Sequence, residues 1–424
     1  MIKDRLKEIV LDQKEVFNRK THLIERDIDL DNYIRTQQVV IISGIRRCGK
    51  SSLLYLIKEK MKLAEEDYCY FNFDDERISS DVSVTGEIFN LHIEIYGKEP
   101  ILFFDEIQNI PLWEKFINRI YEKGIKVFVT GSNARLLSTE ISTSLTGRNK
   151  VIELFPFSFY EYLRYTGNSV DMENVTSKQK ALVQKNFNHY LTTGGFPLVI
   201  KENDLELING YFQDILYRDI VSRYRLSQVK EIKEIGLYFA SNVGKLFSYS
   251  TLQSISRIKS LSSVKDYLGY YEQSYLFFFL KKFDYSVKKQ IMNPKKVYAI
   301  DQGFIHRLGF NFSENKGRIL ENIIFLELLR RGKEVYYYSG NLECDFLIKK
   351  GLQIIEAIQV VYSLTNENYN REYNGLKEAM ETHHLKHGLI VIIDIDLHQD
   401  KRVEQNEIKI VEAWRWLLSK NSVD

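Results

Sequence analysis

The feature that constrains this chain most is Gly44-Ile-Arg-Arg-Cys-Gly49-Lys50-Ser51, which satisfies the pattern G-x-x-x-x-G-K-[ST]. Directly before it, Gln38-Val-Val-Ile-Ile-Ser43 is a continuous apolar run of strand length, the mark of a strand buried on both faces of a parallel sheet. A helical period follows over Ser51–Leu63. Strand, glycine loop and helix in that order build an anion nest. Gly44 and Gly49 let the backbone fold tightly, so that the amides of Ile45, Arg46, Arg47, Cys48 and Ser52 at the helix start face phosphate oxygens. Lys50 is then placed to reach the β- and γ-phosphates of a nucleotide, and Ser51 to put its hydroxyl on Mg²⁺.

With 424 residues, the chain has room for two to four domains. Hydrophobic residues make up 44% and there are only 5 prolines, so the composition is that of a folded protein. The 59 basic residues nearly cancel the 57 acidic ones, leaving +2 and no whole-chain sign of a polyanion partner. Cys48, Cys69 and Cys344 are too few and too scattered for a disulfide framework or a metal knuckle. The chain opens on charged residues with no apolar segment behind them, so no signal peptide is read. The densest apolar stretches, Ile101–Phe104 and Leu276–Leu280, fall far short of the ~20 residues of a membrane helix. A soluble, cytoplasmic protein without a membrane partner is expected.

Further strands of the buried type are read at Asp67–Asn72, Pro100–Asp105 and Lys126–Gly131, with helical segments such as Trp113–Lys123 between them. This alternation predicts an α/β layer over residues 1–157. Residues 158–225 read as a helical lid, broken by the turn at Thr193-Gly-Gly-Phe-Pro197. Residues 226–294 read as short helices with a β-ribbon that includes Tyr275–Lys281. From 295 to 424 a second α/β unit is expected. It runs from Val297–Asp301 through a helix at Leu320–Arg331 and strands at Glu334–Tyr338, Cys344–Lys349 and Gln353–Val361, then a helix at Arg371–Thr382 and a strand at Gly388–Asp394.

Hydrolysis of a bound nucleotide needs a carboxylate for the metal and a group that orients water. Ile101-Leu-Phe-Phe-Asp105-Glu106 ends an apolar strand in two acids, with Asp105 the metal-side candidate and Glu106 the water-activating one. Acids also close strands simply by meeting solvent. Val127-Phe-Val-Thr-Gly-Ser132-Asn133 ends another strand in small polar residues suited to hold a water, or to cap a turn. Arg148, after Leu145-Thr-Gly147, offers a cation for transition-state charge, in its own subunit or a neighbour's.

Taken together, the phosphate loop with its double arginine, Asp74-Asp75, Asp105-Glu106-Ile-Gln108, Thr130-Gly-Ser-Asn133, Ser144-Leu-Thr-Gly-Arg148 and Phe155-Pro-Phe-Ser-Phe159 resemble a large family of prokaryotic AAA-type P-loop ATPases. Its members join the ATPase to a winged-helix segment and a C-terminal domain of unknown function similar to PD-(D/E)XK nucleases. The resemblance covers nearly the whole chain and is most specific in the first 200 residues. It implies ATP and Mg²⁺ as ligands, phosphate, metal and hydrolysis roles for Lys50, Ser51, Asp105 and Glu106, a sensor role for Asn133 and an arginine-finger role for Arg148.

Residues 245–296 hold ten Lys and Arg against Asp266, Glu272 and Asp284, a local net of +7. Lys281, Lys282, Lys288 and Lys289 are candidate contacts to double-stranded DNA, with Ser260–Tyr267 as a recognition helix. A solvated basic face, or one that docks acidic protein surface, reads equally from these residues. In the C-terminal unit, Glu321 and Asp345 match part of a metal-dependent nuclease centre. The next strand, however, has Gln359 and Val361 where that pattern places an acid and a lysine. The favoured expectation is therefore a nuclease-like scaffold that has lost cleavage. The sequence as a whole predicts an ATPase whose turnover drives a conformational switch, acting on DNA or a partner protein. An ATP-regulated nuclease and a nucleotide-gated adaptor are the alternatives.

Overall fold

The computed structural model describes residues 2–79, 81–133, 145, 147–170, 172, 175–309, 316–396 and 407–419. They form two units: residues 1–155 with Gln273–Tyr275, and the remainder.

The first unit is built on five parallel strands, β1 (Val39–Ser43), β2 (Tyr68–Asn72), β3 (Ile101–Asp105), β4 (Val127–Gly131) and β5 (Asn149–Glu153), in the order β2-β3-β4-β1-β5. Every residue of β1 and β4 is buried, as expected of central strands covered on both faces. Strands β1 to β4 start one residue after the expected positions, β5 is not among the expected strands, and helices cover Lys50–Lys60 and Trp113–Glu122. An N-terminal helix, Ile2–Asn18, closes one side. Its Leu6, Ile9 and Val10 join Phe71 and Phe104 in one core, and its Phe17 stacks on Tyr70 at 3.9 Å between ring centroids. The register pairs Asn72 with Asp105, Ile42 with Thr130 and Ser43 with both Gly131 and Glu153. This register aligns the carboxyl ends of β1, β3 and β4 on one edge, where open parallel sheets bind ligands.

The second unit begins with helices at Phe159–Tyr165, Ser177–Thr193, Pro197–Glu202 and Glu206–Asp214. The glycines of Thr193-Gly-Gly-Phe-Pro197 permit close approach: a Cβ on Gly194 would lie 1.9 Å from the Asp301 carboxylate, and one on Gly195 would lie 2.2 Å from the Phe157 carbonyl. Asp301 accepts hydrogen bonds from the amides of Gly195 (2.6 Å) and Gly303 (2.8 Å), and burial pushes its carboxyl up to about 6. Further helices at Val229–Ser241, Tyr249–Ser256 and Leu261–Gln273 accompany a three-stranded antiparallel ribbon, β6 (Leu246–Phe247), β7 (Phe277–Lys281) and β8 (Lys295–Ala299), in the order β6-β8-β7. Thus the segment around Val297, grouped by its sequence with the C-terminal strands, pairs with Phe277–Lys281 instead.

The last sheet holds β9 (Glu334–Ser339), β10 (Glu343–Lys350), β11 (Gln353–Thr365), β12 (Gly388–Asp396) and β13 (Ile408–Glu412), in the order β13-β12-β11-β10-β9. The pairs β9/β10 and β10/β11 are antiparallel, and β11/β12 and β12/β13 are parallel. Helices Lys316–Arg330 and Tyr369–Thr382 precede β9 and β12. Among the described residues, no helix is long and apolar enough to cross a membrane.

Candidate functional site

At the end of β1 the chain must turn under Leu154. A Cβ on Gly44 would lie 2.1 Å from the Leu154 carbonyl oxygen, so only glycine fits there. Gly49 takes φ 104° immediately before the helix that begins at Lys50. The loop is braced from below by Arg26, which donates to the carbonyls of Cys48 (3.3 Å) and Phe155 (2.7 Å). Ile45 and Cys48 are fully buried, and burial pushes the Cys48 thiol up, so it stays protonated. Arg46 meets Asp74 at 3.7 Å; Ser51 and Ser52 are half-buried.

Lys50 Nζ donates to the carbonyls of Gly44 (3.1 Å) and Ile45 (3.2 Å) and lies 3.5 Å from Glu106 Oε1. Asp105, at the end of β3, is held by three hydroxyls: Ser51, Thr130 and Tyr70, the last at 3.1 Å. Burial and then the neighbouring Glu106 charge push the Asp105 carboxyl up. For Glu106, burial works upward, but the charges of Lys50 and Arg46 outweigh it and hold the carboxyl below its ordinary value. Glu106 sits at φ 53°, a conformation uncommon outside glycine. Its amide donates to Thr130 Oγ1 at 3.0 Å and its carboxylate accepts from the Gln108 amide. Ser43 Oγ donates to the Asn133 carbonyl at 3.2 Å, which brings Asn133 to the same edge of the sheet.

Arg148 is not brought to this edge. Its carbonyl accepts from the amide of Val39, at the opposite end of β1, and its guanidinium bonds Asn118 and Glu122 (3.0 Å). The reason is topological: Arg148 precedes β5, and β5 runs parallel to β1, so its start lies at the amino end of the sheet.

Several site residues carried no local signal in the sequence. Arg26 and Tyr70 act through contacts that exist only once the strands are in register. Lys20 is another: burial pulls its ammonium down to about 8, with the Asp105 charge working in the opposite direction. Tyr275, which clusters with the first unit, places its hydroxyl 2.9 Å from Ser43 Oγ.

In the second unit, Glu321 and Asp345 do converge, and a residue outside the expected set joins them. Lys296 Nζ lies 3.0 Å from Glu321 Oε1 and 2.9 Å from Asp345 Oδ1. Tyr298 donates to the same Glu321 oxygen at 2.6 Å. Gln359 accepts from the Asp345 amide (3.2 Å) and donates to Glu372 (2.7 Å). A register shift between Cys344 and Leu347 interrupts the β9/β10 ladder at Asp345, as bulges do where a side chain is re-aimed. Of the basic residues, Lys281, Lys288 and Lys289 are exposed and Lys282 half-buried, and Lys289 lies 3.7 Å from Asp284.

A glycine loop on a buried parallel strand, a lysine within it, and a paired acid two strands away define a P-loop protein of the AAA type. A family model described as "AAA domain" matches residues 36–163, and one described as "Domain of unknown function (DUF8612)" matches residues 184–315. The chain is 34% identical to uncharacterized protein MJ1544 of Methanocaldococcus jannaschii, over 97% of this chain and 95% of that one. It is 30% identical to an uncharacterized protein of Haemophilus influenzae, over 92% of this chain and 98% of that one. The chain belongs to the same family as these two full-length relatives, and the AAA domain is its segment 36–163. Among solved structures, the Thermotoga maritima RuvB Holliday junction branch migration motor aligns over 65% of this chain and 88% of that one, at 13% identity and a TM-score of 0.30.

Proposed function

We propose that this protein binds ATP with Mg²⁺ and hydrolyses it, and that turnover drives a conformational switch acting on DNA. The observation that carries the reading is the arrangement at the carboxyl edge of the first sheet, where Ser51 and Thr130 share the Asp105 carboxylate and Lys50 faces Glu106. The donor set fits a nucleotide–magnesium pair: hard oxygens from Ser51 and Asp105, loop amides, and an ammonium that exchanges carbonyl partners for phosphate oxygens. When bound, Mg²⁺ neutralises charge on the phosphates. Lys50 and the loop amides orient the phosphate tail. Asp105, kept in place by Tyr70 and Thr130, holds the metal's side of the site. Glu106, held ionised, takes the proton of the attacking water, and Asn133 positions that water. Arg148 lies at the far end of its own sheet, so a finger role for it falls to a neighbouring subunit.

In this reading residues 158–225 are the lid, 226–294 a winged-helix segment and 295–424 a nuclease-like unit. The helix, three antiparallel strands, helix and parallel strand from Lys316 to Asp396 support the last assignment. Gln359 supports the loss of cleavage, since it is an uncharged crosslink where a metal acid is required.

The test is ATP turnover by purified protein of known mass, with and without double-stranded DNA. Glu106→Gln should bind Mg-ATP and fail to release phosphate; an unchanged rate removes Glu106 from the mechanism. Neutralising Lys281, Lys282, Lys288 and Lys289 should weaken duplex binding equally for all sequences and flatten its salt dependence. Binding that ignores salt removes the DNA half of the proposal.

A further inference from the structure

The buried centre of the second unit contains a cation already. Lys296, Glu321, Asp345 and Gln359 are each less than a tenth exposed. One ammonium touches both carboxylates, so the two oxygens it bridges lie within about 6 Å of each other. Asp345 Oδ2 receives the Val360 amide at 3.0 Å, and the Glu321 oxygen that meets the ammonium also receives the Tyr298 hydroxyl. Gln359 is spent on the Asp345 backbone and on Glu372 of the helix Tyr369–Thr382. Buried acids of this kind need a positive partner, and a lysine or a divalent metal can serve, but not both in one place.

We infer that Lys296 stands where a metal ion would stand between Glu321 and Asp345, turning a nuclease-like centre into a lysine-locked joint that excludes Mg²⁺ and Mn²⁺. The joint ties the antiparallel ribbon, which carries Lys296 and Tyr298 on β8, to the helix carrying Glu321 and to β10 carrying Asp345. Its role is structural: a buried ionic contact, not a metal, fixes the ribbon to the C-terminal sheet. The inference rests on the nuclease-like reading of this unit and is independent of ATP hydrolysis.

The experiment is a Mn²⁺ titration of the full chain without nucleotide, followed by the electron-spin signal of free Mn²⁺ and by thermal unfolding. Lys296→Ala should take up one more Mn²⁺ than the parent, with at least about tenfold tighter binding at that position, because two carboxylates then face a vacated cation position. Its unfolding temperature should rise with Mn²⁺ while the parent's does not. Adding Glu321→Gln to Lys296→Ala should abolish both effects. If Lys296→Ala does not fold, Lys296→Gln, which keeps a shorter stem and an uncharged amide that still donates, is titrated in the same way. Parent protein that binds Mn²⁺ and loses it on Asp345→Asn overturns the lock while leaving a nuclease-like metal centre in place. A folded Lys296 variant that gains no Mn²⁺ overturns the lock and also the view that these acids form a cation site.

Discussion

Two lysines in this molecule are equally buried and face acids, yet they are held in opposite ways. Lys50 and Lys296 are each 4% exposed. Lys50 leans on two backbone carbonyls and stands 3.5 Å from one carboxylate oxygen. Lys296 bridges two carboxylates at 2.9 and 3.0 Å. Charge-assisted bonds at such distances are roughly twice as strong as bonds to neutral acceptors. Burial therefore does not set how firmly a lysine is held; the quality of its partners does. To bind phosphate as proposed, Lys50 gives up neutral carbonyls at small cost, whereas Lys296 would have to give up two carboxylates.

The sharpest way to break this comparison is to remove each ammonium. Lys296→Met should destabilise the second unit by about 3–5 kcal/mol, because two acids are left buried without their counter-ion. Denaturant unfolding reads this, and ATP turnover of the remaining folded protein should be unchanged. Lys50→Ala should do the reverse. Turnover should fall about 10²–10³-fold, the usual effect of losing one preorganised donor to transition-state charge, while the unfolding midpoint stays near that of the parent. A Lys50 variant that unfolds, or a Lys296 variant as stable as the parent, would erase the distinction.

A pH series sharpens it further. Burial, and then the Asp345 charge, raise the Glu321 carboxyl from 4.5 to about 7, with Lys296 opposing. Below pH 4.5 the group is protonated in both states and its contribution to stability is fully present. As pH rises from 4.5 to 7 the unfolded chain releases the proton before the folded one does, so stability is lost, by about 3 kcal/mol over that window. Glu321→Gln cannot titrate, so its stability should fall less over the same range. Asp301, raised to about 6, titrates in both proteins and cancels in the difference. Superimposable profiles would mean that Lys296 already compensates both acids in full.

How much of this was legible follows from which signals are local. The strands β1 to β4 are short apolar runs between polar turns, and the phosphate loop is contiguous, so both were readable within a few residues. Strand β5 was not, because Asn149, Lys150 and Glu153 on a half-exposed edge break any apolar run. The same holds for β13, with Lys409 and Glu412. At the site, Asp105 and Glu106 announce themselves at a strand end, whereas Arg26 reaches a loop carbonyl 22 positions along the chain. Lys296 is the instructive miss. In sequence it is half of a Lys-Lys pair inside the basic stretch 245–296, and a solvated lysine and a buried one are spelled alike. The local hint was Tyr298, two residues on and therefore on the same face of the strand.

The smallest expected effect concerns the phenol beside Asp105, the acid proposed to face the metal. Tyr70 lies on β2, one strand from Asp105, with its ring stacked on Phe17 of the N-terminal helix and its hydroxyl donating to Asp105 Oδ2. Tyr70→Phe keeps the stack and removes one hydrogen bond to a carboxylate, at the low end of the range for charged acceptors, about 1.5 kcal/mol, because Ser51 and Thr130 still hold that group. The loss should appear as a roughly tenfold weaker apparent affinity for Mg²⁺ in nucleotide-supported turnover, with maximal rate little changed. A collapse of turnover to the level of Lys50→Ala would show that Asp105 is as firmly dependent on its partners as Lys296 is, and the contrast between an exchangeable site and a locked one would then lie in the lysines alone.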